Sequence, residues 1–181
     1  SIEEAVKSFA SGEFNNIREI IETYTINKDS VEGLLSSLNK LTTDLNDLYN
    51  QMDHYFTNFD YIRAIQCWWS VINQANQIFQ SAEPWTYVKL INSPETPAEL
   101  KEKYRILNNY FVYLCAETTR ISSILIQPVM PQLSKKILDR LNVSGRTSEF
   151  TTLGADLQYG SGANSKSHKV PLEKIAPRDI K

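Results

Sequence analysis

The sequence predicts an all-α antiparallel helical bundle with an irregular C-terminal tail, and three observations carry that prediction. Glycine is absent between Gly33 and Gly145 and proline is absent before Pro84, so long helices can run through the middle of the chain without a breaker. Within that stretch apolar residues recur three and four positions apart, the spacing of a helix face. Strand signals are weak, and only residues 150–153 and 169–172 offer any. Because one amphipathic helix cannot bury its own stripe, several joined by short connections pack against one another.

In order along the chain, residues 2–10 and 14–24 read as two short helices broken at Ser11-Gly12. Asp29 and Ser30 are good capping residues for a long helix near 30–56, whose seam is Leu34, Leu38, Leu41, Leu45, Leu48, Met52 and Tyr55. The next helix, near 60–81, carries Ala64, Ile65, Trp68, Val71, Ile72, Ala75, Ile78 and Phe79 as a wide apolar face. Trp68 and Trp69 point about 100° apart on it, which makes one core and leaves the other at most partly exposed. Thr96-Pro97-Ala98-Glu99 has the form of a capping box with proline at the first helical position, opening a helix near 97–126. Pro128 interrupts it, and Pro131 opens a shorter helix with Leu133, Ile137, Leu138 and Leu141 on one side. Leu38, Leu45, Trp68, Ile72, Phe111 and Leu114 are the expected core. Residues 1–143 form the expected bundle domain. From Ser144 the composition turns to Gly, Ser, Asn and Lys, so 144–181 reads as a polar extension that packs back on the bundle or on a neighbouring domain.

With 19 basic and 21 acidic residues the net charge is −2, so a polyanion would have to be met by a local patch. No apolar run approaches the roughly 18 residues of a membrane span, and no membrane partner is expected. Cys67 and Cys115 lie far apart in sequence with no histidine near either, which excludes a zinc knuckle and fits a reducing compartment. His54 and His168 have no convergent partners, and no phosphate loop, HExxH or GxSxG occurs, so no catalytic residue and no metal site is assigned. The opening Ser1-Ile2-Glu3-Glu4, without initiator methionine or leader, reads as the interior of a longer protein.

The informative segment is Glu83-Pro84-Trp85 at the end of the second long helix, with Lys89 four positions on. A tryptophan held by a preceding proline is a rigid stacking platform, although a plug for the bundle end is the equal alternative. The run from Ala64 to Trp85, with Asn73-Gln74-Ala75-Asn76-Gln77 ahead of the Pro-Trp pair, resembles the anticodon-binding helical bundle of the class I methionyl-tRNA synthetases. Ile126-Gln127-Pro128-Val129-Met130-Pro131 is similar to that family's proline break before its last bundle helix. His168-Lys169-Val170-Pro171-Leu172 with Ile175 is similar to its C-terminal return to the catalytic body.

The resemblance covers roughly residues 55–181 and implies binding of the anticodon arm of a methionine tRNA with a CAU anticodon. It implies Trp85 and Pro84 as the platform, Asn76 as a base or loop contact and Lys89 as a phosphate contact. ATP and methionine belong, on the same resemblance, to a separate upstream catalytic domain that would be this domain's partner. His-Ile-Gly-His and Lys-Met-Ser-Lys-Ser are both absent, so this chain has no cofactor of its own and is itself non-catalytic. The asparagine- and arginine-bearing helix at the start of the family's bundle has no match within residues 1–28. The polar N-terminal segment and high Asn and Ser content suggest a fungal mitochondrial form, hence the matrix, with the cytoplasm as alternative. The competing functional class is a helical protein-interaction module, in which the leucine seam from Leu34 to Tyr55 would face a partner helix.

Overall fold

The computed structural model describes residues 1–162, and these contain seven α-helices and no strand. Helix α1 (Ile2–Ala10) is closed by a capping box in which Ser1 Oγ accepts from the Glu4 amide and the Glu4 carboxylate takes the Ser1 amine at 2.9 Å. Helix α2 (Ile17–Tyr24) starts three residues later than expected, because Phe14 lies in the preceding turn with its ring buried against Tyr110 and Tyr113.

Helices α3 (Val31–Thr57) and α4 (Tyr61–Ala82) form the antiparallel hairpin that the 4-3 leucine spacing predicts. The seam from Leu34 to Met52 is buried inside the bundle, so it serves an internal neighbour and is closed to a partner helix. Ser30 does not cap α3 through its side chain; its hydroxyl donates instead to the Asn27 carbonyl in a single 3-10 turn, Lys28–Ser30. Asp60 does cap α4, accepting from the Arg63 amide at 3.1 Å.

Helix α6 (Ala98–Leu125) is the spine, touching α1, α2, α3, α4, helix α5 (Pro84–Asn92) and helix α7 (Pro131–Arg140). Its start departs from the expected capping box: Pro97 sits at the cap position and makes no side-chain bond, and Thr96 stays outside the helix. The break before α7 falls where Pro128 predicts it, with the Val129 and Met130 amides both donating to the Ile126 carbonyl.

Four of the six expected core residues, Leu38, Leu45, Phe111 and Leu114, are buried. Trp68 and Ile72 are only partly covered, because they line an open groove between α4, α6 and α7. Trp69 is 54% exposed, and Trp68 fixes its ring by donating from Nε1 to the Ser122 carbonyl at 3.0 Å.

Residues 150–153 are not a strand. A 3-10 turn, Ser148–Phe150, leads into an irregular strap held by side chains of α6. Arg120 donates to the Phe150 and Thr152 carbonyls, and Glu117 accepts from the Gly154 amide at 2.9 Å and the Tyr159 hydroxyl at 2.7 Å. Gly160 then closes the strap, its amide 2.7 Å from the Leu141 carbonyl. At φ +85° it meets the Ile2 side chain at a distance that leaves no room for a Cβ. The second weak strand signal, 169–172, and the His168 to Ile175 segment lie outside the described residues.

Candidate nucleic-acid interface

The chain passes from α4 almost directly into a further helix. Glu83 adopts the left-handed conformation (φ 46°, ψ 55°), its amide closing α4 on the Phe79 carbonyl, and Pro84 starts α5 at once. A single residue thus turns one helix into the next. The signal was available in sequence, since proline suits the first turn of a helix as well as it ends one.

At this corner Pro84 is buried while Trp85 is 45% exposed. The indole rests on Phe79, ring centroids 6.1 Å apart and planes at 59°, which supports one side of it and leaves much of the ring to solvent. The plug alternative predicts a buried ring, and burial here belongs instead to Pro84 and Tyr87, the latter packed on Tyr104 of α6 at 5.6 Å. Lys89 stands one helical turn beyond Trp85 and is exposed.

Asn76 lies on α4, one turn before Phe79, also exposed. No hydrogen bond from its side chain occurs among the described residues, so it does not pin the following corner. The structure therefore groups Pro84, Trp85 and Lys89 on α5, and links Asn76 to them through Phe79, a residue that sequence reasoning assigned to the core stripe. Across its 22 residues α4 carries one charged side chain, Arg63, so the surface leading to Trp85 is aromatic and amide in character.

No group of three or more metal-ligating side chains occurs among the described residues, and none of their helices is long and apolar enough to cross a membrane. Burial pushes the Cys115 thiol up to about 11 and also raises Cys67, to which Asp44 and Asp47 add, so neither is poised as a thiolate. His54 is exposed on α3.

Over all 181 residues the chain is 99% identical to the mitochondrial methionine–tRNA ligase of Candida albicans, of which it spans 31%. It is 33% identical over 177 residues, 97% of this chain, to the mitochondrial methionine–tRNA ligase of Saccharomyces cerevisiae, spanning 27% of that protein. It is 29% identical over 116 residues to the mitochondrial methionine–tRNA ligase of Xenopus laevis, 64% of this chain and 18% of that protein. The chain thus spans less than a third of the length of the curated relatives it matches. No family model matches it, and no solved structure does. Identity along the whole chain, together with the helical architecture, shows that it belongs to the methionyl-tRNA synthetase family, as a segment of the fungal mitochondrial type.

Proposed function

We propose that residues 1–143 are the anticodon-binding bundle of a methionine–tRNA ligase and that residues 144–181 are its C-terminal extension. The observation that carries the reading is Trp85, a half-exposed indole at a one-residue corner, backed by Phe79 and anchored by the buried Pro84. An unpaired base of a CAU anticodon stacks on its free face, an interaction that needs no cation and so suits the near-neutral chain. Lys89 neutralises a phosphate one helical turn away, and Asn76 offers an amide to a base edge or the loop backbone. The full-length protein charges methionine tRNA in the mitochondrial matrix, with ATP and methionine handled by a catalytic domain outside these residues. Supporting the assignment of α3 to the bundle interior, rather than to a partner protein, is the burial of its leucine seam.

The test is a fluorescence titration of the full-length protein with a methionine-tRNA anticodon stem-loop bearing CAU and with a scrambled loop. Trp85→Ala is expected to lose about 1–3 kcal/mol of binding to the CAU loop with the fold intact. Unchanged CAU binding, or loss of the fold, makes Trp85 a structural residue and defeats the reading.

A further inference from the structure

Glu83 stands at the one-residue corner two positions before Trp85, in the left-handed conformation that glycine and asparagine adopt with far less strain. Its amide still bonds the Phe79 carbonyl at 3.2 Å, so residue 83 lies one turn beyond Phe79, the ring on which the indole rests. The side chain is exposed and has no structural duty. It makes no capping bond to the first turn of α5, and it has no hydrogen-bond or ion-pair partner among the described residues. The Thr86 amide is met instead by the Glu83 carbonyl at 2.8 Å. An anion here also repels the phosphates of a bound RNA. Backbone and charge both disfavour glutamate at this corner, and a strained, unpartnered carboxylate beside a binding surface points to a ligand that it contacts.

We propose that Glu83 is a specificity-determining residue of the anticodon site, its carboxylate accepting a hydrogen bond from the exocyclic amine of the base stacked on Trp85 and so selecting cytosine there. Glu83 acts in this way only if Trp85 is the platform proposed above. Two residues of chain span at most about 7 Å, which puts the edge of a base lying on the indole within reach of the carboxylate. Unpaired loop bases are read in this manner, stacked on an aromatic ring by their faces and hydrogen-bonded along their edges.

A carboxylate accepts and does not donate, and this decides which base fits. Cytosine presents its N4 amine on the edge next to C5 with no acceptor beside it, and there a glutamate oxygen is a matching partner. Adenine sets the N7 acceptor beside its amine, guanine offers O6 and N7, and uracil offers O4, so each of these turns a lone pair toward the carboxylate. Among the three bases of CAU, cytosine alone suits Glu83, which assigns the first anticodon base to the Trp85 ring. The other polar groups of the corner discriminate less. The Asn76 amide both donates and accepts, and Lys89 meets phosphate without regard to sequence.

The experiment titrates the full-length protein with four anticodon stem-loops that differ only in the first anticodon base, CAU, AAU, UAU and GAU. The parent should bind CAU most tightly. In Glu83→Gln the amide can pair with the amine and N7 of adenine together, so the preference for CAU over AAU should fall about tenfold. Loss of a negative charge raises affinity for all four loops alike, and the ratio between loops is therefore the quantity read. Glu83→Gly removes the acceptor and relieves the backbone, so the preference should fall while the thermal midpoint holds or rises. A capping or helix-dipole role would move the midpoint and leave the ratios alone. Equal binding of the four loops by the parent, or ratios unchanged in both variants, would overturn the proposal. Trp85→Ala measured alongside tells the two assignments apart. If it costs CAU binding while both Glu83 variants keep the parent's ratios, the platform stands and Glu83 is no reader; if it costs nothing, both fall.

Discussion

Arg120 and Glu117 form an ion pair at 2.7 Å with both side chains fully out of water. Burial alone would lower the arginine's affinity for its proton, but the hydrogen bonds and charge of Glu117 outweigh it and hold the guanidinium charged. The pair also bonds three backbone groups of the strap and the Tyr159 hydroxyl, so it fastens residues 150–159 to the spine helix. Arg120→Met is expected to cost about 3–5 kcal/mol in urea unfolding, because it strands the Glu117 charge. Tyr159→Phe should cost about 1–3 kcal/mol for one unmet bond, and Arg18→Ala, which breaks an exposed pair with Glu22, less than about 1 kcal/mol.

Core truncations should separate the closed seam from the open groove. Leu45, fully buried between helices, should lose about 2–5 kcal/mol on change to Ala. Ile72→Ala in the same 181-residue chain should lose less than about half as much, because the groove side of the side chain already faces solvent. Equal losses in chemical denaturation would contradict the groove.

At the Trp85 corner, readout and attraction predict different salt behaviour. Lys89→Ala should weaken all stem-loops about equally and reduce the slope of log affinity against log salt by roughly one unit at most. Trp85→Ala should leave that slope unchanged while abolishing the preference for the CAU loop. Titrations at several salt concentrations measure both.

Phe59 turns the α3–α4 hairpin with φ 58° while its ring is 79% exposed. A bulky residue is strained in that conformation and gains little from burial here, so Phe59→Gly should raise stability by about 0.5–1 kcal/mol. A lower thermal midpoint for the variant would show that the ring's contact with Tyr61 outweighs the backbone term.

Glu13 ties the α1–α2 turn to α6 through Arg105 at 3.0 Å. Hydrogen bonding to Arg105 holds its carboxyl below the ordinary 4.5. A depressed carboxylate contributes stability that is fully present above its unfolded value and is lost as pH falls through the folded one. Thermal midpoints of the parent and Glu13→Gln should therefore differ at pH 6 and converge as pH drops below about 4.5.

Much of the architecture was legible because the long helices follow from periodicity and missing breakers, both local properties of the chain. The α3 seam and the break before α7 needed nothing more. Helix α5 is not among the expected helices because nine residues are too few for a clear periodicity, and the single left-handed residue that lets it begin directly after α4 leaves no local signal of its own. Trp68 and Ile72 were assigned to the core because periodicity gives the direction of a face and says nothing of whether a neighbour covers it. At the candidate site Pro84, Trp85 and Lys89 were singled out through the family resemblance of the Glu83-Pro84-Trp85 segment, while Phe79 was hidden in the apolar stripe until the corner brought its ring to Trp85. The clasp between Glu117, Arg120 and Tyr159 joins residues 42 positions apart and left no local pattern to read.

The one-residue corner at Glu83 gives α5 the mechanics of a lever. Pivoting by ten degrees there would carry the far end of this nine-residue helix about 2 Å, taking its length from the helical rise. Tyr87 against Tyr104 clips the lever to the first half of α6, so its swing is limited to what that half allows. A displacement of the α6 N-terminal turns would then tilt the Trp85 ring against Phe79, and the aim of the indole becomes a property of a helix more than a dozen residues away in sequence.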